Sequence, residues 1–159
     1  MMIAAKVENQ TYYAFNDCVV RTDESRAFEM HATWNGEELP SYYGDGVIVA
    51  SPTGSTAYSL AAGGPIIEPS VPVFTLTPVC PHSFYQRPLV IPAQGVLTLT
   101  PVLKTDNTKA FISLDGQKNV PIPQGECVEI TRSPYDAQLL CLPERYFFAI
   151  LNRKLYWGR

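Results

Sequence analysis

"GDGVIVASPTGSTAYSLAAGGP", residues 44–65, reads as a Gly-Asp-Gly turn, a short apolar strand and a hydroxyl-rich run closed by two glycines and a proline. Six of the nine residues from Ser51 to Ser59 carry a hydroxyl: Ser51, Thr53, Ser55, Thr56, Tyr58 and Ser59. Strand, turn, short helix is the expected local structure. Gly44 and Gly46 bracket Asp45 where a sharp turn calls for positive φ angles, which glycine adopts without steric cost. Ser51, with Pro52 at the first helical position, or Thr53 is expected to cap the helix, and Gly63-Gly64-Pro65 to end it after at most about three turns. Spacing at i, i+3 and i+4 puts Ala57, Leu60 and Ala61 on one face and leaves Ser55, Thr56, Tyr58 and Ser59 to the edge and the opposite side. The first N–H groups of a helix are unpaired donors, so a polar ring or a phosphate could be held there by amides and hydroxyls without a lysine. Serine and threonine are equally ordinary cap residues. Residue chemistry alone leaves a binding and a purely structural reading open.

Outward from this stretch the chain is mostly strand. "TYYAFNDCVVR" and "AFEMHATW" are rich in aromatic and β-branched residues, and Asn35-Gly36 after the second is a strong hairpin signal. "GVIVAS", "VFTLTPV", "GVLTLTPVL", "KAFISLDG", "CVEITRS" and "AQLLCL" are further strands, separated by Pro and Gly. Fourteen prolines disfavour long helices, and a second helical pattern appears only in "PERYFFAILNRKL", which starts with a proline suited to the first helical position. The expected fold is mainly β: two packed sheets, one short helix after the GDG strand and a C-terminal helix.

The 159 residues and 46% hydrophobic content suit one domain, residues 1–159. A net charge of −3 with scattered Lys and Arg argues against a nucleic-acid partner, which is gripped through a basic patch. No apolar run approaches a membrane span and the first ten residues do not read as a signal peptide, so a cytoplasmic protein is expected, without a membrane partner. Cys18, Cys80, Cys127 and Cys141 lie far apart with no C-x-x-C pair, so they are expected to be reduced and mostly buried, and no metal site is assigned. No phosphate loop, H-E-x-x-H or G-x-S-x-G motif is present. His82 and Ser83 are adjacent on an extended segment and point to opposite faces, which disfavours a Ser-His pair.

"GDGVIVASPTGSTAYSLAAGGPII" resembles the signature segment of the NAD kinase family. The likeness continues through "LTPVCPHSFYQRPLVIP", through "ISLDGQ", which is similar to a family strand end, and through the C-terminal "FFAILNRKLYWGR". "YYAFNDCVV" resembles the family's "ALNE" segment, with Asn16 on the asparagine and Asp17 in place of the glutamate. The resemblance covers essentially the whole chain. It implies binding of NAD or NADP by the asparagine-acid pair Asn16 and Asp17 at adenine and ribose, and by Thr53, Thr56, Ala57 and Tyr58 around the adenine and nicotinamide ends. It also implies that Asp45 reaches the dinucleotide of a neighbouring subunit in a homodimer or homotetramer. Ala61 stands where some members have serine. Asp115 and Gln117 match the family pattern, and a binding role and a plain strand-end turn both stay open for them.

NAD kinases carry a preceding α/β domain with a "GGDGT" motif, which binds the phosphoryl donor and supplies the catalytic aspartate. That motif is absent here, so the chain is expected to be the C-terminal dinucleotide-binding domain with no catalytic residue of its own. The intact enzyme transfers a phosphoryl group from ATP or polyphosphate, with Mg²⁺, to the ribose 2′-hydroxyl of NAD. This chain alone is expected to be inactive. A catalytically silent nucleotide-binding or oligomerisation module would share the same sequence. A related lipid kinase would lack the "P-T-G-S-T-A-Y" helix start.

Overall fold

Runs of β-branched and aromatic residues broken by Pro and Gly favour pleated, half-buried strands. Strands are what they form. The structure, a computed structural model, describes residues 1–24, 26–105, 107–140 and 147–155. One sheet runs β2 (Gln10–Ala14), β1 (Ile3–Val7), β13 (Val128–Arg132), β10 (Leu97–Val102), β4 (Phe28–Trp34) and β5 (Glu37–Glu38), with β6 (Tyr42–Gly44) also paired to β4. The other runs β12 (Lys118–Ile122), β11 (Ala110–Leu114), β3 (Asp17–Thr22), β7 (Gly46–Ala50), β8 (Val73–Val79) and β9 (Leu89–Pro92). Every neighbouring pair is antiparallel.

The two-residue period of the strands decides which side chains meet. Cys18 and Val20 of β3, Val47 and Val49 of β7, Phe74 and Leu76 of β8 and Ile112 of β11 join one core with Ile3, Met30, Leu97, Leu99 and Ile130 of the other sheet. The alternate residues Val19, Ile48 and Ala50 face the other way and form a second buried cluster with Ala62 and Val79. The six-stranded sheet is thus covered on both sides along its middle strands, and its outer face is where the hydroxyl-rich segment lies.

Several sequence expectations are corrected. "TYYAFNDCVVR" is two strands, because the chain leaves the first sheet after Ala14 and enters the second at Asp17. The helix expected near residues 54–62 is a 3-10 turn (Thr53–Thr56) followed by a one-turn helix α1 (Tyr58–Ala61), separated by Ala57 at φ −96° and ψ −127°. In "AQLLCL", residues 137–140 form no strand, Leu139 and Leu140 are exposed, and residues 141–142 lie outside the described set. The C-terminal helix is α2 (Phe147–Leu155); Pro143 and the "YWGR" tail, residues 156–159, lie outside the described residues. Strands β1, β9 and β12 were not expected from the sequence. β9 and β12 carry Pro92 and Pro121 and are the outer strands of their sheet, where a missing N–H costs least.

The Asn35-Gly36 hairpin forms as read, with both residues at positive φ and Trp34 opposite Glu37. Gly44 and Gly46 do not have positive φ. They are small because a Cβ would sit 2.7 Å from the Val79 carbonyl oxygen at Gly44 and 2.6 Å from that of Val20 at Gly46. Of the cysteines, Cys18 is buried but Cys80 is exposed and Cys127 partly so; all three are free thiols, and Cys141 is outside the described residues.

Leu99 on β10 is fully buried in the inter-sheet core. Leu99→Ala is expected to cost about 3 kcal/mol through lost transfer energy and the cavity left behind. Urea unfolding should show a lower midpoint with an unchanged slope; a midpoint like the wild type's would mean that the two faces do not pack there.

Candidate functional site

On the outer face of the six-stranded sheet, the period of β3 sets Asp17, Val19 and Arg21 side by side, and the antiparallel register puts Ser113 of β11 opposite Val19. Together with Asn16, Ala57, Tyr58, Asp115 and Gly116 they line an open cleft of about 440 Å³. The floor is sheet, one wall is the start of α1, and one end is the β11–β12 turn.

The hydroxyls of the signature stretch divide into two sets. Ser51, Ser55 and Ser59 are fully buried and serve the fold. Ser51 Oγ donates to the Phe15 carbonyl at 2.7 Å and accepts from Gly54 N at 3.1 Å. Ser55 Oγ donates to Pro52 O at 2.7 Å and accepts from Ile67 N at 3.0 Å, while Ser59 Oγ lies 2.8 Å from Thr77 Oγ1. The Ser51 and Ser55 bonds satisfy main-chain groups, and the Ser59–Thr77 bond pairs two buried hydroxyls, all of which would otherwise be costly to bury. Thr53, Thr56 and Tyr58 are the outward set: Thr56 is exposed and its Oγ1 donates to Thr53 O at 3.2 Å, and Tyr58 is 48% exposed. The expected apolar face is therefore corrected: Ala57 and Ala61 are exposed, and Ser55 and Ser59 take the inner positions. The reason is steric. A Cβ at Gly54 would stand 1.9 Å from the Asn16 carbonyl oxygen, so the turn lies directly on the backbone of residue 16. Only short side chains fit beneath it.

Two carboxylates share the cleft. Asp17 is only 5% exposed, and burial first, then the neighbouring Asp115 charge, pushes its pKa up to about 6. Burial in the inter-sheet core, with the Asp17 and Asp115 charges, holds the Cys18 thiol well above its usual value, so it is no nucleophile. Arg21 brings a cation that the sequence did not place there; its guanidinium lies 4.5 Å from the centre of the Phe111 ring. The signal for Arg21 was available in the alternation of the β3 segment, and that for Ser113 in the alternation of β11. Both needed the β3–β11 register to be read.

Of the sequence-expected residues, Asn16, Asp17, Ala57 and Tyr58 line the cleft, while Thr53 and Thr56 stand on the adjoining turn without lining it. Asp45 is exposed between β6 and β7 and is not part of the cleft lining. Asp115 occupies a turn in which Gln117 N donates to Leu114 O at 2.9 Å, and Gln117 lines a separate groove on its other side. His82 packs edge-on against Tyr43, with ring centres 5.3 Å apart. Among the described residues no three His, Cys, Asp or Glu side chains gather to hold a metal ion, and no described helix is long and apolar enough to cross a membrane.

Residues 16–142 match the family described as the ATP-NAD kinase C-terminal domain. The chain is 44% identical over 147 residues to an NAD kinase of Sulfurimonas denitrificans, covering 92% of this chain and 50% of that protein. It is 40% identical over 165 residues to an NAD kinase of Heliobacterium modesticaldum, covering 100% of this chain and 58% of that protein. Among solved structures, yeast NADH kinase complexed with NADH superposes with a TM-score of 0.81 at 26% identity, over 99% of this chain and 49% of the other. An Archaeoglobus fulgidus NAD kinase in complex with ATP gives 0.74 at 27% identity, over 84% and 51%. The chain thus spans about half the length of these relatives.

The raised pKa of Asp17 has a stability consequence of definite sign. The folded state holds a proton that the unfolded state, with a carboxyl near 3.8, has already released, so this group's contribution declines as pH rises from about 4 through about 6. Asp17→Asn, which cannot ionise, should melt higher than the wild type at pH 8, and the gap should close towards pH 4. A pH-independent gap would show that Asp17 titrates as an ordinary surface carboxylate.

Proposed function

The chain belongs to the NAD kinase family, as its C-terminal domain, and from that premise we propose that it holds the nicotinamide adenine dinucleotide of an NAD kinase. The observation that carries this reading is the convergence of Asn16, Asp17, Ala57 and Tyr58 on one polar cleft beside a helix start. The chemistry of the lining suits such a ligand. Asn16 and Asp17 offer donors and acceptors for ribose hydroxyls and adenine edges. Tyr58 offers an exposed ring for stacking, and Arg21 a cation for phosphate oxygens. Thr53 and Thr56 stand where they can extend the contact past the cleft rim.

In the reaction proposed for the whole enzyme, phosphoryl transfer from ATP or polyphosphate to the 2′-hydroxyl of NAD, this domain binds and orients the acceptor. The donor and its Mg²⁺ belong to the half of the relatives that this chain does not span. Positioning supplies much of phosphoryl-transfer catalysis, so a chain that holds only the acceptor gives no useful turnover with NAD, Mg²⁺ and ATP. A silent nucleotide-binding module is the second reading. It would show the same affinity for dinucleotide and no activity even when joined to a donor-binding domain.

Calorimetry with NAD and NADP should show weak binding to this chain. Tyr58→Ala should lower affinity about tenfold while leaving the melting temperature near that of the wild type, because half of the ring is already in solvent. A variant that binds normally but melts early would make the helix start purely structural.

We also propose that Asp45 works at a contact between copies of the chain. It stands two residues along the chain from Tyr43, which is 38% exposed, and Tyr43 O accepts from His82 N at 2.9 Å, so the loop carrying Phe84 and Tyr85, 91% and 93% exposed, follows closely. The Tyr42 of this region is buried and contributes nothing to the patch. Aromatic clusters with a polar rim are typical of such contacts. Light scattering should give a dimer or tetramer that weakens in Phe84→Ser/Tyr85→Ser; a monomer at all concentrations would contradict the contact.

A further inference from the structure

The residues that face the cleft from the start of β3 sit where the backbone crosses from one sheet into the other. Between Ala14 and Asp17 the chain passes from one sheet to the other, and its polar groups lose their regular ladder partners. Two residues satisfy them all. Asp115 Oδ2 accepts from Phe15 N at 2.8 Å, and Oδ1 accepts from Asn16 N at 2.7 Å and from Asp17 N at 3.1 Å. Asp115 N donates to Asp17 O at 3.0 Å, while Ser51 Oγ and Ser51 N donate to Phe15 O at 2.7 Å and Asn16 O at 2.8 Å. Three N–H groups aimed at one carboxylate form a site for an anion, and a side-chain anion fills it.

We propose that Asp115 is a positioning residue for dinucleotide binding: its carboxylate fixes the Phe15–Asp17 backbone and thereby aims Asn16 and Asp17 into the cleft. This rests on the reading of the cleft as a dinucleotide site. Neither a shorter nor a neutral side chain does the same work. Asp115 holds φ at +50° at the head of the β11–β12 turn, a conformation that aspartate and asparagine tolerate. Asparagine there presents an NH₂ where one oxygen now accepts, so at least one of the three N–H groups loses its partner and faces another donor. The same change removes the negative charge that helps keep Asp17 protonated to higher pH.

Asp115→Asn keeps the turn and tests the clamp. In amide hydrogen exchange without ligand, Phe15, Asn16 and Asp17 should exchange faster in the variant while the core strands stay protected; unchanged exchange at these three amides overturns the clamp. In calorimetry, dinucleotide affinity should fall about tenfold, the scale of one lost charge-assisted hydrogen bond. The loss should shrink when Asn16→Ala is already present, because one of the two side chains that Asp115 positions is then gone and only the share carried by Asp17 remains. Equal losses in both backgrounds, or an unchanged affinity with only a lower melting temperature, would make Asp115 merely structural. The pH midpoint assigned to Asp17 should also move down from about 6 in Asp115→Asn. If the wild type binds no dinucleotide, the functional reading fails and the positioning role falls with it, while the exchange data still decide whether the clamp exists.

Discussion

The backbone polar groups of residues 15–17 must be hydrogen-bonded where the chain crosses between the sheets and enters β3, and the site is arranged around that requirement. Ser51 meets it from one side and Asp115 from the other. The turn after Ser51 can reach it only because Gly54 has no side chain to strike the Asn16 carbonyl. Once the segment is held, Asn16 and Asp17 stand at the cleft edge, and the same turn carries Ala57 and Tyr58 to its wall. Removing any of these partners leaves a buried polar group unpaired, which costs more than the bond itself contributes.

This arrangement explains why the signature stretch mixes three kinds of hydroxyl residue. The buried serines at positions 51, 55 and 59 recur every four residues, and each satisfies a group under the turn. Serine fits because the space is shallow. Threonine and tyrosine appear on the solvent side, where bulk is tolerated and a ligand could be met. The crowding of hydroxyls is thus a fold requirement and a surface in one short segment.

The architecture was legible where local chemistry dominates: the Asn35-Gly36 turn, the strand bodies of β4, β7, β8 and β11, and the two-sheet packing all follow from alternation and punctuation. It was illegible at the sheet margins, since Pro92 and Pro121 read as breaks and are tolerated only because β9 and β12 have a free side. The helix was misjudged for a related reason: periodicity selected Ala57 and Ala61 as the inner face, while the approach of Gly54 to Asn16 rotates the serines inward. At the site, residue types pointed to Asn16, Asp17 and Tyr58 through family resemblance. Arg21 and Ser113 come together only through the β3–β11 pairing, in which Ser113 lies opposite Val19, 94 residues away in sequence, and Asp115 depends on a side chain turned back into its own sheet end, neither of which is local information.

The cleft floored by β3 and walled by the start of α1 is the place proposed to receive a nicotinamide adenine dinucleotide. Titrating the ¹⁵N-labelled chain with NADP and following its amide resonances tests this most directly. The expected result is saturable shifts concentrated at residues 16–21, 53–58 and 113–116, with the inter-sheet core unmoved. Shifts centred elsewhere, or none at millimolar NADP, would contradict it.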